Sequence, residues 1–217
     1  MLTFLAQYPH IFFKILLIMV AGVSILKYCR KDFLDRISWS VLFSITVGLQ
    51  LFYATLLAIV QYFVWKGNAF TNILLISPLP AEVPLGWLES FRPLLDGSHG
   101  YYVFYAYTHF FLGFLVTLLV TSLCILFLSV WKKYQPTHFK KGDVFAVGTA
   151  LILVEWPTVI ILIPTALVVM LLVTIYTTFS KRSSIDLPII FLLTSLTMLL
   201  IGEELLHIAN LYTLFAV

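Results

Sequence analysis

The feature that most constrains this chain is a set of long, nearly uncharged apolar runs separated by short basic connections. Six runs, at 6–27, 38–65, 101–131, 143–161, 162–180 and 185–203, approach or exceed the roughly 20 apolar residues that a helix needs to cross a bilayer. They are rich in Leu, Ile, Val and Phe and lack the alternation of a half-buried strand, so helices are expected rather than a barrel. The chain is 61% hydrophobic and only 11% charged over 217 residues, with a mean hydropathy of +1.04. A water-soluble domain has no way to hide that proportion of apolar surface, so lipid is the expected solvent. The predicted fold is all-α: a polytopic helical membrane protein of about six transmembrane helices, forming one membrane domain over 1–217.

The second and third runs are longer than a bilayer requires, which predicts tilt or extension beyond it. The fourth and fifth are divided between Trp156 and Pro164, where "EWPTVIILIP" supplies two prolines and Glu155. Ten of the thirteen Lys and Arg lie in three connections: Lys27, Arg30, Lys31 and Arg36, then Lys132, Lys133, Lys140 and Lys141, then Lys181 and Arg182. By the positive-inside rule these three face the cytoplasm and both termini lie outside. The expected location is therefore integral to a membrane with the basic loops cytoplasmic.

The connection 66–100 then forms an outer loop. Its prolines at 78, 80, 84 and 93 prevent a continuous helix, and a packed external cap is expected. The net charge of +3 is a topology signal, not a nucleic-acid footprint. Cys29 and Cys124 form no CxxC pair, and neither a metal nor any other cofactor is expected. The bilayer is the one partner that composition implies.

The stretch "HFKKGDVFAVGTALILVEW", residues 138–156, places one carboxylate, Asp143, at the mouth of the fourth run. "GDVFAVGTALILVEWP" resembles the start of the fourth helix in type IV prepilin peptidases, membrane aspartic proteases with a GxGD motif. Gly142, Asp143 and Val144 match that motif, and Trp156 stands where the family has the aromatic of a "GW" pair. "SIDLPIIF" at 184–191 is a loose counterpart of an "IPFGPF"-like element. "KYCRKDFLDRIS" at 27–38 overlays the pattern that follows the family's first helix.

The resemblance implies a six-helix protease that cleaves the cytoplasmic leader of a pilin-like precursor without a metal. Asp143 would be one catalytic carboxylate. Without gaps, Lys27 occupies the position of the other, which would turn the dyad into an ion pair. With a gap, Asp32 takes that position and Arg36 falls on the family's Arg. Lys140 stands in place of the first Gly of GxGD, and Phe145 in place of the Lys after GDV.

Such a site needs two carboxylates sharing one proton, both near the same water. Asp32 lies five residues beyond Lys27 and would face away from Asp143 if the first helix continued; the charges of Arg30 and Lys31 favour an earlier end and a turn back. Asp35 is farther along the chain. Asp186 reads as the cap of the last helix and is a remote candidate for a second carboxylate. The residue-level alternative for Asp143 is also a cap, complementing the positive end of a helix dipole.

Three further readings carry other chemistry. Glu204 and His207 are spaced like an E-x-x-H metal element, but no second copy accompanies them, and a wetted helix end is the expectation. His109 lies near the outer end of the third run, where Glu155 or His207 could meet it. A non-catalytic scaffold and a small transporter are the alternatives from other classes. A transporter would call for internal repeats and broken helices, and the sequence shows no repeat.

Overall fold

The computed structural model describes residues 9–30, 34, 36–136, 139–140, 142–180 and 186–208. Among them every regular element is helical. In chain order these are α1 (Pro9–Cys29), α2 (Trp39–Lys66), α3 (Ala69–Leu75), a 3₁₀ turn (Gly86–Phe91), α4 (Arg92–Leu95), α5 (Gly100–Ala106), a π-helical turn (Tyr107–Phe111), α6 (Leu112–Tyr134), α7 (Asp143–Leu153), α8 (Thr158–Ser180) and α9 (Leu187–Ile208). α5, the π turn and α6 run on as one helical stretch from Gly100 to Tyr134.

Among the described residues, five helical segments are long and apolar enough to cross a membrane: His10–Cys29, Trp39–Lys66, Gly100–Tyr134, Thr158–Phe179 and Leu187–Ile208. They coincide within a few residues with five of the predicted runs. Their outer faces carry Phe12, Phe52, Phe127, Leu171 and Leu172 in exposed positions, a disposition that suits contact with lipid and not with water.

The fourth run differs from its expectation of 143–161. α7 ends at Leu153 after 11 residues, about 16 Å of helix against a hydrocarbon core of about 30 Å. Val154 is extended, with φ −99° and ψ 125°, and Pro157 disfavours helical geometry at Trp156 and lacks an N–H to donate. The helix therefore stops before this proline and restarts at Thr158. Pro164, the other expected breaker, lies inside α8.

The chain forms two compact units, residues 1–49 with 115–217, and residues 50–114. In the first, α7 is enclosed. Every residue from Asp143 to Leu153 except Phe145 is buried. α7 packs along α9 and also meets α1 and α8; Phe43 of α2 approaches Phe145 at 6.0 Å between ring centroids, and Ile125 of α6 lies against Gly148. Hydroxyls in this interior bond to carbonyls of their own helices, as Thr149 does to Phe145 at 2.8 Å and Thr194 to Ile190 at 2.7 Å. Enclosure by protein is what lets a half-length helix stand next to irregular backbone in an apolar surrounding.

The second unit contains the predicted outer loop, and it packs on itself. Leu79, Leu85 and Leu95 form a buried cluster against which Val83, Tyr101 and Phe104 pack. The Arg92 guanidinium donates to Glu89 at 2.6 Å and to the Val83 carbonyl at 2.8 Å. The Leu79 N–H donates to the Leu95 carbonyl at 3.0 Å.

Candidate functional site

The turn that opens α7 is built on Gly142. This residue has φ +97°, a conformation that a side chain makes costly. A Cβ there would also lie 2.4 Å from Cδ1 of Trp39. Glycine thus permits both the turn and the close approach of α2, and it delivers Asp143 as the first residue of α7.

Asp143 is 5% exposed. Its Oδ2 accepts the Lys140 N–H at 2.7 Å, and its own N–H donates to the Lys140 carbonyl at 3.3 Å. The carboxylate therefore reaches back to the preceding turn, as in a reciprocal helix cap. Among the described residues, none forms an ion pair with it within 4 Å.

Charge around this carboxylate comes from several elements. The ammonium of Lys140 pairs with Oδ2 of Asp186, which immediately precedes α9. The ammonium of Lys132, in the last turn of α6, donates to the Lys140 carbonyl at 3.1 Å. The Tyr28 hydroxyl of α1 lies within electrostatic range of Asp143 and Asp186, and it is buried and closes no hydrogen bond of ordinary geometry.

The two carboxyls are driven in opposite directions. Burial raises the pKa of Asp143 and the charge of Asp186 adds to that; the Lys140 N–H and the charges of Lys140 and Lys132 oppose it. The hydrogen bond from Lys140 holds Asp186 below the usual carboxylate range, against a desolvation penalty. Neighbouring acids pushed apart in this way recur at catalytic sites.

Lys27 does not form the ion pair expected from the ungapped overlay. Its ammonium donates to the Leu34 carbonyl at 2.7 Å and lies 5.7 Å from the centroid of the Trp39 ring. Physically, α1 ends at Cys29 and the chain turns back, with Leu34 at φ +57°, so a carbonyl reaches the ammonium first. Asp32 and Asp35 lie outside the described residues. The ends of the connection that carries them are both described, and both belong to this site: Tyr28 precedes it, and Trp39, 6.2 Å from Tyr28 between ring centroids, follows it.

The other candidates are dispersed. Glu203 pairs with Lys14 at 3.5 Å, and Glu155 lies within electrostatic range of both. Glu204 and His207 are exposed. Nδ1 of His109 bonds to the Tyr105 carbonyl of its own helix at 3.0 Å. No group of three His, Cys, Asp or Glu among the described residues is arranged to hold a metal.

Sequence reasoning missed Tyr28, Trp39 and Lys140 as parts of the site. One signal was available: a glycine directly before the acid marks a turn that a neighbour can approach closely. Which neighbour does so is not written locally. In comparisons with protein-family models, curated proteins and solved structures, the chain matches none.

Proposed function

We propose that the protein is a membrane aspartic endopeptidase of the prepilin-peptidase kind, which cleaves the cytoplasmic leader of a pilin-like precursor with Asp143 and Asp32. In this reading the basic connections face the cytoplasm of a prokaryotic cell. The observation that carries it is the meeting of α1, α2 and α7. Tyr28 lies within electrostatic range of Asp143, Trp39 lies against Gly142, and the connection holding Asp32 joins those two aromatic residues in the chain. Asp32 is four residues from Tyr28, at most about 14 Å along an extended chain.

The chemistry follows from two acids of unequal proton affinity. The ionised carboxylate takes a proton from water, and the resulting hydroxide adds to the scissile carbonyl carbon as the protonated partner donates to the carbonyl oxygen. When the tetrahedral adduct collapses, the C–N bond breaks. The second acid recovers its proton from the adduct, and the first delivers its proton to the leaving nitrogen. The raised pKa of Asp143 suits it to the proton-carrying role. The Tyr28 hydroxyl is a further polar group within electrostatic range of Asp143.

The test is cleavage of a pilin-like precursor in proteoliposomes. Asp143→Asn and Asp32→Asn are each expected to lower the rate by about 10²–10⁴-fold, the usual contribution of a general acid or base. Loss with Asp143→Asn alone removes Asp32 from the mechanism. A wild type that is inert, together with an inert Lys27→Asp variant, retires the protease reading. Retained precursor binding in that case supports a scaffold.

A second reading, a small transporter, draws on α7, since discontinuous helices enclosed by a bundle line transport sites. In transporters the half-helix termini that bind substrate point toward the membrane centre, whereas Asp143 stands at the loop end of α7. Solute or proton flux through the same proteoliposomes, insensitive to precursor, would favour it.

A further inference from the structure

Lys140 serves two carboxylates with two different groups. Its main-chain N–H donates to Oδ2 of Asp143 at 2.7 Å, while its ammonium pairs with Oδ2 of Asp186. Its carbonyl accepts from Lys132 at 3.1 Å and from the Asp143 N–H at 3.3 Å. The side chain of Lys140 is itself 69% exposed, so packing does not fix it; the ion pair with Asp186 gives it its direction.

We propose that Asp186 is a positioning residue for Asp143: through the Lys140 ammonium it pins the turn that presents Asp143. The purpose of this device rests on the protease reading, whereas the geometry does not. α7 and α9 pack along one another, and the two acids stand at the starts of these helices. Any change in how α9 begins is therefore transmitted to Asp143 through one lysine.

The groups that face Asp143 come from four places: Tyr28 of α1, Lys132 of α6, Lys140 in the connecting turn, and Asp186 ahead of α9. α2 offers Trp39, which lies on Gly142, and Lys27 is turned to the Leu34 carbonyl. α8 contains no charged residue. The acids of the 30–38 connection remain the same in every variant below.

The experiment is a pH titration of the Asp143 carboxyl by ¹³C NMR on carboxyl-labelled aspartate, with the full chain in lipid nanodiscs and the resonance identified by its loss in Asp143→Asn. Asp186→Asn keeps an acceptor for Lys140 but removes a negative charge, so the Asp143 midpoint falls. Lys140→Met removes a positive charge and releases the turn, so the midpoint rises. Each shift is expected to be about half a pH unit or more. Asp186→Glu and Lys140→Arg preserve the charges and leave the midpoint near that of the wild type, which covers the case of a variant that fails to fold.

Opposite displacements support the proposal, because a residue that merely held the fold would not move the midpoint in both directions. Shifts of the same sign, or no shift in either variant, overturn it. Cleavage separates the two readings. If the protease reading fails, no variant cleaves precursor while both midpoints still move. If the present inference fails, the wild type cleaves and neither midpoint moves. In an active protein, the alkaline limb of kcat/KM follows the carboxyl midpoint, because Asp143 is the group that must carry the proton.

Discussion

Substituting Gly142 by alanine tests the geometry on which the site depends. Two costs separate cleanly. A non-glycine residue in the left-handed region costs about 1–2 kcal/mol, and φ here is +97°. The new Cβ would also lie 2.4 Å from Cδ1 and 3.2 Å from Cγ of Trp39, an overpacking of the kind that costs about 1–3 kcal/mol. The sum is about 2–5 kcal/mol, concentrated at the turn that carries Asp143.

A double-mutant cycle with Trp39→Ala divides the two contributions. In that background the clash is gone and only the backbone cost of about 1–2 kcal/mol should persist. The assay is reversible unfolding in mixed detergent micelles, with stability taken from the denaturant midpoint. A Gly142→Ala cost that is unchanged when Trp39 is absent would refute the close approach of α2. A cost below about 1 kcal/mol in the parent background would refute the strained turn as well.

Two other outcomes follow from the same structure. A Cβ at Gly202 of α9 would lie 2.3 Å from Cγ2 of Thr158 in α8, so Gly202→Ala should lower the thermal midpoint in detergent, and Thr158→Ser, which deletes that methyl, should restore most of the loss. Stability against pH should separate the two acids. Asp143 has a folded pKa raised by burial, so its ionisation opposes folding as pH rises above the ordinary carboxylate range, and Asp143→Asn is expected to be neutral or stabilising at pH 7. Asp186 has a depressed folded pKa, so its stabilisation is present above the unfolded pKa and is lost as pH falls through the folded one. Asp186→Asn should therefore destabilise at pH 7, and the difference should vanish in acid. A destabilised Asp143→Asn at pH 7 would instead mean that the folded state favours the ionised carboxylate, and would refute this sign.

The site was partly legible. "KKGDV" singled out Asp143, and the charges of Arg30 and Lys31 indicated an early end to the first helix, as α1 shows by ending at Cys29. Asp186 was noted only as a remote second acid. Its link to Asp143 runs through Lys140, a residue that reads locally as one more positive charge in a basic loop. The partner of Lys27, the Leu34 carbonyl, was not legible, because an overlay of sequence does not tell which acceptor reaches an ammonium first once the chain has turned.

Five helices were determined by the sequence itself, because the thickness of a bilayer sets a length and hydropathy is a property of neighbouring residues. The expectation of 38–65 for what is Trp39–Lys66 needed no knowledge of the rest of the fold. Tertiary structure alone decided the fate of 143–161. Leucine and valine are as apolar against protein as against lipid, so composition cannot distinguish a helix that faces the membrane from one enclosed by its neighbours. Enclosure is what makes the short α7 tolerable, and the packing of α1, α2 and α9 around its first turn is what surrounds Asp143 with Tyr28, Trp39 and Asp186, residues that the chain itself keeps far apart.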